Sequence, residues 1–84
     1  MAEKNGVQSV ERIFALIEQL AAHPAGASLQ RLAQDTQLAK STVHRLLASL
    51  VGLGYVAQDE TSGRYRLTLK MFELSSGIVN SMDI

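Results

Sequence analysis

Eighty-four residues make one small domain with room for a single compact core, burying about 60 to 65% of the surface its unfolded chain exposes. There is no cysteine to form a disulfide or a thiolate metal site; the polar start Met1–Gly6 lacks an apolar signal core, and no apolar run approaches the roughly 18 residues of a membrane span, so a cytoplasmic protein is expected. The formal net charge is zero but segregated: residues 40–70 carry Lys40, Arg45, Arg64, Arg66 and Lys70 against Asp59 and Glu60, a local balance of +3, and the remainder carries −3. A neutral chain of this kind can still present one positive face to phosphate.

Ser9 is the expected N-cap of a first helix ending near Ala22, with Glu11 near its positive end and Val10, Ile13, Phe14, Ile17, Leu20 and Ala21 as the buried stripe. His23-Pro24-Ala25-Gly26 stops that helix. Ser28 then caps a short second helix, Leu29 to about Thr36, with Leu29, Leu32 and Ala33 inward. A third helix follows Leu38, docking through Val43, Leu46, Leu47, Leu50 and Leu53 and ending at Gly54. Two helices so joined have the pattern of a helix-turn-helix, in which the first braces the second across a groove of DNA. Tyr55–Gln58 and Arg64–Leu67 are β-prone runs around a five-residue tip, Asp59–Gly63, with Val56 and either Tyr65 or Leu67 inward.

The tail from Leu69 reads as a helix with two apolar stripes. Met71, Leu74, Ile78 and Met82 fall within roughly 80° of one another, and Leu69, Phe72 and Val79 form the second stripe. One small domain cannot cover both, and the chain stops at Ile84 without a capping signal, so a longer protein is expected. The expected fold is mainly α with a small β-hairpin: a winged helix-turn-helix over residues 1–68, then the start of a linker helix over residues 69–84.

The face of the third helix opposite its apolar stripe carries the chemistry. Lys40, Ser41, Thr42, His44, Arg45 and Ser49 are side chains that hydrogen-bond phosphates and base edges. Arg45 suits a bidentate contact to guanine, and Thr42 offers a methyl group to thymine. Lys40, Ser41 and Ser49 suit phosphate or positioning contacts. Arg64 and Arg66 flank Tyr65 on the hairpin, a second basic element for the adjacent backbone; packing of Arg66, or its pairing with Asp59 across the hairpin, is the alternative.

Four segments in order resemble the IclR family of bacterial transcription regulators. They are Val7-Gln8-Ser9-Val10-Glu11-Arg12; Leu38 with Lys40-Ser41-Thr42-Val43-His44-Arg45-Leu46-Leu47; Leu53-Gly54-Tyr55-Val56; and Gly63-Arg64-Tyr65-Arg66-Leu67. The resemblance runs from Val7 to Ile84. It implies a DNA-binding winged helix-turn-helix that forms a homodimer or higher homo-oligomer on a palindromic operator, acting as a repressor. It also implies a linker helix leading to a separate C-terminal domain that binds a small-molecule effector, with no cofactor in this part of the protein. Two positions depart from the family pattern: Gln37 stands where glycine is common and Ala39 where proline is, which puts the backbone of the turn in question.

Other functions find less support. Ser41 and His44 are a nucleophile and a base on one helix without a third orienting group. His23 has no ligand cluster around it in sequence and reads as a helix-end residue. Asp59 and Glu60 read as a solvated tip, and Gly52-Leu53-Gly54 follows a helix where a phosphate loop would precede one. An amphipathic membrane helix lacks its cationic flank. The main alternative is a winged helix that binds protein and never touches DNA, which zero net charge would suit.

Overall fold

The computed structural model describes the backbone of residues 2–81 and the side chains of residues 7–81. Helix α1 runs Ala2–Ala22. It begins seven residues before Ser9's expected place as cap: no proline interrupts Ala2–Gln8, and Ala2, Glu3, Lys4 and Gln8 favour the helix although Asn5 and Gly6 do not. Ser9 therefore caps nothing, and Glu11 lies mid-helix, away from the positive end. Of the expected stripe, Leu20, Ile13 and Ile17 face the core; Val10, Phe14 and Ala21 do not, and Leu16, not expected, does. Leu16 and Leu20 are fully enclosed with Ile13 and Ile17 packed beside them, whereas Val10 and Phe14 are 56% and 57% exposed and Ala21 is exposed.

After α1 the chain turns through His23–Gly26, with Gly26 at φ 110°. Ala27 then pairs with Tyr65, its N–H donating to the Tyr65 carbonyl at 2.9 Å and its own carbonyl accepting from the Tyr65 N–H at 2.8 Å. Gly26 is needed there: a Cβ would stand 3.2 Å from the Arg64 Cβ in a backbone region that L-residues avoid.

Helix α2 is Leu29–Thr36, and the Ser28 hydroxyl caps it as expected, accepting from the Arg31 N–H at 3.0 Å. Leu32 and Ala33 are buried and Leu29 packs at their edge. Gln37 takes the left-handed conformation, φ 60° and ψ 32°, and the Leu38 N–H closes the motif on the Ala33 carbonyl at 3.2 Å. The turn thus keeps a glycine-type backbone with a side chain that tolerates it poorly. Ala39, at φ −64°, adopts unaided the angle that a proline would fix, and its carbonyl accepts from the Val43 N–H at 3.0 Å.

Helix α3, Lys40–Leu53, buries Val43, Leu47 and Leu50, with Leu46 partly covered. Leu53, expected on that face, is 59% exposed, because it stands on the flank of the helix that the core does not reach. Gly54 ends the helix at φ 92°. Strands β1, Val56–Gln58, and β2, Tyr65–Leu67, pair antiparallel in the register Val56↔Leu67, Ala57↔Arg66, Gln58↔Tyr65. Both strands are one residue shorter than expected. Val56 and Tyr65 are buried and Leu67 is half-buried, so both open alternatives for the inward residue face the core side. Helix α4, Leu69–Ser81, buries none of its residues. Leu74 and Ile78 of its first stripe are 64% and 63% exposed, Met71 is half-buried, and Met82 lies outside the described residues.

One core results, formed by Leu16 and Leu20 of α1, Leu32 and Ala33 of α2, Val43, Leu47 and Leu50 of α3, and Ala27, Val56 and Tyr65 at the hairpin. It is a three-helix unit with a wing, the expected architecture. No helix among the described residues is long and apolar enough to cross a membrane.

Candidate nucleic-acid interface

Docking α3 through Val43, Leu47 and Leu50 dictates what it offers outward. At 100° per residue, Ser41 and Arg45 fall within about 30° of the direction opposite that buried stripe, and Ser49 within about 55°. Thr42 and His44 stand on the two flanks, and Lys40 opens the first turn. Lys40, Ser41, His44, Arg45 and Ser49 are exposed and Thr42 is half-buried. Among the described residues, none of these six side chains makes a hydrogen bond or ion pair within the chain. Ser41 and His44 in particular are not bonded to each other. The face is polar, unpaired and carried on a helix whose other side is fixed in the core.

The hairpin supplies the second element. Arg66 pairs with Ala57 on the exposed side of β2, and Arg64 leads into that strand, also exposed. The tip is ordered by Asp59: its carboxylate accepts from the Ser62 N–H at 2.6 Å, and its carbonyl accepts from the Gly63 N–H at 2.7 Å. The Ser62 amide, followed by the Ser62 hydroxyl and the Thr61 amide, holds the Asp59 carboxyl below the usual aspartate range, with a smaller assist from the charge of Arg66. Arg66 and Asp59 form no ion pair among the described residues, and Arg66 is exposed.

Two basic residues stand elsewhere than their place in the sequence suggests. Lys70, part of the basic segment, donates to the Leu53 carbonyl at 2.7 Å and lies 4.7 Å from the centre of the Tyr55 ring. Arg31, outside that segment, joins Arg64, His23, Gly26, Ala27 and Ser28 around a polar cleft at the start of α2. Its guanidinium bonds the Asp35 carboxylate at 3.0 Å, and His23 approaches that carboxylate at 3.6 Å. The cleft is not evident in sequence because Arg64 joins it from the wing, more than thirty residues beyond the stretch from His23 to Arg31. Among the described residues, no three His, Asp or Glu side chains gather as a metal site.

Residues 9–60 match the IclR helix-turn-helix domain. The chain belongs to the IclR family. It is 35% identical over 82 residues to the HTH-type transcriptional regulator KdgR of Dickeya chrysanthemi, covering 98% of this chain and 27% of that one. It is 42% identical over 79 residues to the DNA-binding transcriptional repressor YiaJ of Escherichia coli K12, covering 94% and 28%. The crystal structure of Pseudomonas aeruginosa HmgR superposes with a TM-score of 0.81 at 30% identity, over 90% of this chain and 31% of that one. The chain thus spans less than a third of the length of these relatives. An IclR-type winged helix-turn-helix is a DNA-binding domain of transcription regulators, and that is the biochemical class of this chain.

Proposed function

We propose that this IclR domain reads a palindromic DNA operator as a homodimer or higher homo-oligomer and represses transcription. It acts in the cytoplasm, without enzymatic activity or a cofactor of its own, and answers to a small-molecule effector bound by a separate C-terminal domain. The observation that carries the reading is the outer face of α3, whose Arg45, Ser41 and Ser49 are exposed, opposite the core and without partners among the described residues. Arg45 reads a base edge, Thr42 and His44 line the flanks, and Lys40, Ser41 and Ser49 hold phosphates or fix position. Arg64 and Arg66 carry the wing to the neighbouring backbone. Residues 1–68 form the DNA-binding unit and residues 69–84 begin the linker.

Pairing of two chains is supported by the apolar surface left open. Phe14, Ile17, Leu50, Leu53, Tyr55, Met71 and Leu74 line a groove between α1, α3 and α4. A second copy covering it would place two recognition helices on one duplex. The test is selection of bound duplexes from a random pool, followed by titration of the selected duplex at several salt concentrations. Enrichment of an approximate palindrome and a log–log salt slope of several units are expected. A winged helix that binds only protein, the reading favoured by zero net charge, would enrich nothing.

A further inference from the structure

No residue of α4 is buried, so packing in the core does not set its direction. Met71 of its first turn lies half-buried beside α1, and the hydrogen bonds that tie this turn to the rest of the fold gather, among the described residues, at the C-terminal end of α3. The last carbonyls of a helix have no donors within it and must find them elsewhere. The Val51 and Leu50 carbonyls take the N–H groups of Gly54 and Tyr55, each at 3.0 Å. The carbonyls of Leu53 and Gly54 are taken from across the hairpin, by the Lys70 ammonium and the Thr68 hydroxyl, each at 2.7 Å. The Thr68 N–H also donates to the Tyr55 carbonyl at 3.0 Å, and its hydroxyl accepts from the Lys70 N–H at 3.2 Å.

Lys70 completes the junction by lying 4.7 Å from the centre of the Tyr55 ring, where a cation is attracted both by the ring face and by the negative end of α3. Gly54 takes φ 92° at this junction, a backbone conformation that L-residues avoid, and the Lys70 side chain passes beside it. The hairpin, 14 and 17 residues of chain, separates the partners of these two bonds, so the junction is tertiary and not a local turn.

We propose that Thr68 and Lys70 are positioning residues for DNA reading: they lock the first turn of α4 to the last turn of α3, so that the direction of α4 and the presentation of Arg45 are set as one rigid unit. The inference rests on the proposed role of α3. Its consequence is that whatever fixes the far part of α4, a second copy above all, also fixes the angle of the recognition helix and hence the spacing of half-sites it accepts.

The 84-residue chain has no cysteine, so nitroxide labels placed through Ala48→Cys on α3 and Ser75→Cys on α4, both exposed, report the interhelix distance directly. The original chain and Lys70→Arg should give a narrow distance distribution, and Thr68→Val and Lys70→Met a broad one. On the selected palindrome, Thr68→Val and Lys70→Met should each lose about tenfold in affinity, equivalent to about 1.4 kcal/mol. They should also lose the preference for one half-site spacing over spacings one base pair longer or shorter, while the melting temperature stays near that of the parent.

Narrow distributions in every variant, or unchanged affinity and spacing preference, would overturn the proposal. A loss confined to Lys70→Met with a salt slope lower by about one unit would make Lys70 a phosphate contact, which also overturns it. Affinity that falls only in step with melting temperature would reduce the pair to a structural role. Should the parent chain bind no duplex at all, the DNA-reading premise fails and the proposal with it, a result distinct from a parent that binds and variants that match it.

Discussion

Arg45 and Arg64 carry the same charge but should fail differently when removed. Arg45 points away from the core on α3, where a guanidinium can reach two acceptors on guanine, so Arg45→Ala should cost about 1 to 3 kcal/mol of specific binding and relax preference at one base pair per half-site. Arg64 leads into the exposed side of the wing, and Arg64→Ala should weaken all sequences alike and lower the salt slope by about one unit per half-site. Titration of matched and mismatched duplexes separates the two; an Arg45→Ala chain with unchanged affinity and base preference would mean that α3 is not the reading helix. At the wing tip, Asp59 has a lowered native pKa because the Ser62 N–H bonds its ionised form. Its contribution to the tip is therefore present above the ordinary aspartate range and fades as pH falls through the lowered native value. The Ser62 amide resonance should follow that acid titration, and Asp59→Asn should abolish it. Gln37 tests the turn. A glycine relieves about 1 to 2 kcal/mol of left-handed strain but costs about 0.5 to 1 in unfolded-state freedom, so Gln37→Gly should raise the stability in denaturant unfolding, by at most about 1.5 kcal/mol.

Whether an element could be read in advance depended on how many apolar faces it carries. In α3 the apolar residues at positions 43, 46, 47 and 50 oppose a polar face, so one docking orientation satisfies the pattern, and the helix sits as its periodicity requires. Leu47 is fully enclosed, and Leu47→Ala should cost about 2 to 5 kcal/mol, a loss that a thermal melt would show plainly in a domain this small. Helix α1 instead carries two apolar stripes. Ile13, Ile17 and Leu20 sit on the expected face, but Val10 and Phe14 marked a flank that stays exposed, and nothing local distinguishes that flank from the side of Leu16, which the core encloses. Ser9 misled for a related reason: a capping residue signals a helix start only if the preceding residues cannot continue the helix, and Ala2–Gln8 can. Pairings between distant residues left no periodic trace. The Ala27–Tyr65 bridge and the bonds of Lys70 to Leu53 and Thr68 to Gly54 arise only when the hairpin folds back, which is why Lys70 shows in sequence only as part of the basic segment. The candidate interface could be proposed from sequence because its residues lie on one helix and at the start of one strand; the cleft of His23, Ser28, Arg31 and Arg64 could not, because Arg64 reaches it only when the hairpin folds back.

For the whole molecule, the same shortage of mass that limits the core leaves surface for a partner. α4 covers little of the three-helix unit, and Leu74, Ile78, Phe72 and Val79 stay exposed on it while Val10 and Phe14 stay exposed on α1. More than half of each of these side chains is still in water, so most of their apolar area would stabilise an assembly that covers it and not the single chain. Joining two domains makes the second half-site encounter intramolecular, with a gain in avidity of about 100-fold or more when the spacing fits the duplex. Half-sites about 34 Å apart are the spacing that two helices on one face of DNA would require. Removing everything after Leu69 deletes most of that surface and Lys70 with it, yet touches none of the buried residues. The shortened chain should keep its helical content and a cooperative melt, sediment as a monomer, and bind the selected palindrome about 100-fold more weakly while binding a single half-site nearly as well. Sedimentation of the two chains alongside titration of both duplexes decides the matter: equal masses and equal affinities would reduce α4 to a spacer and move the pairing surface elsewhere.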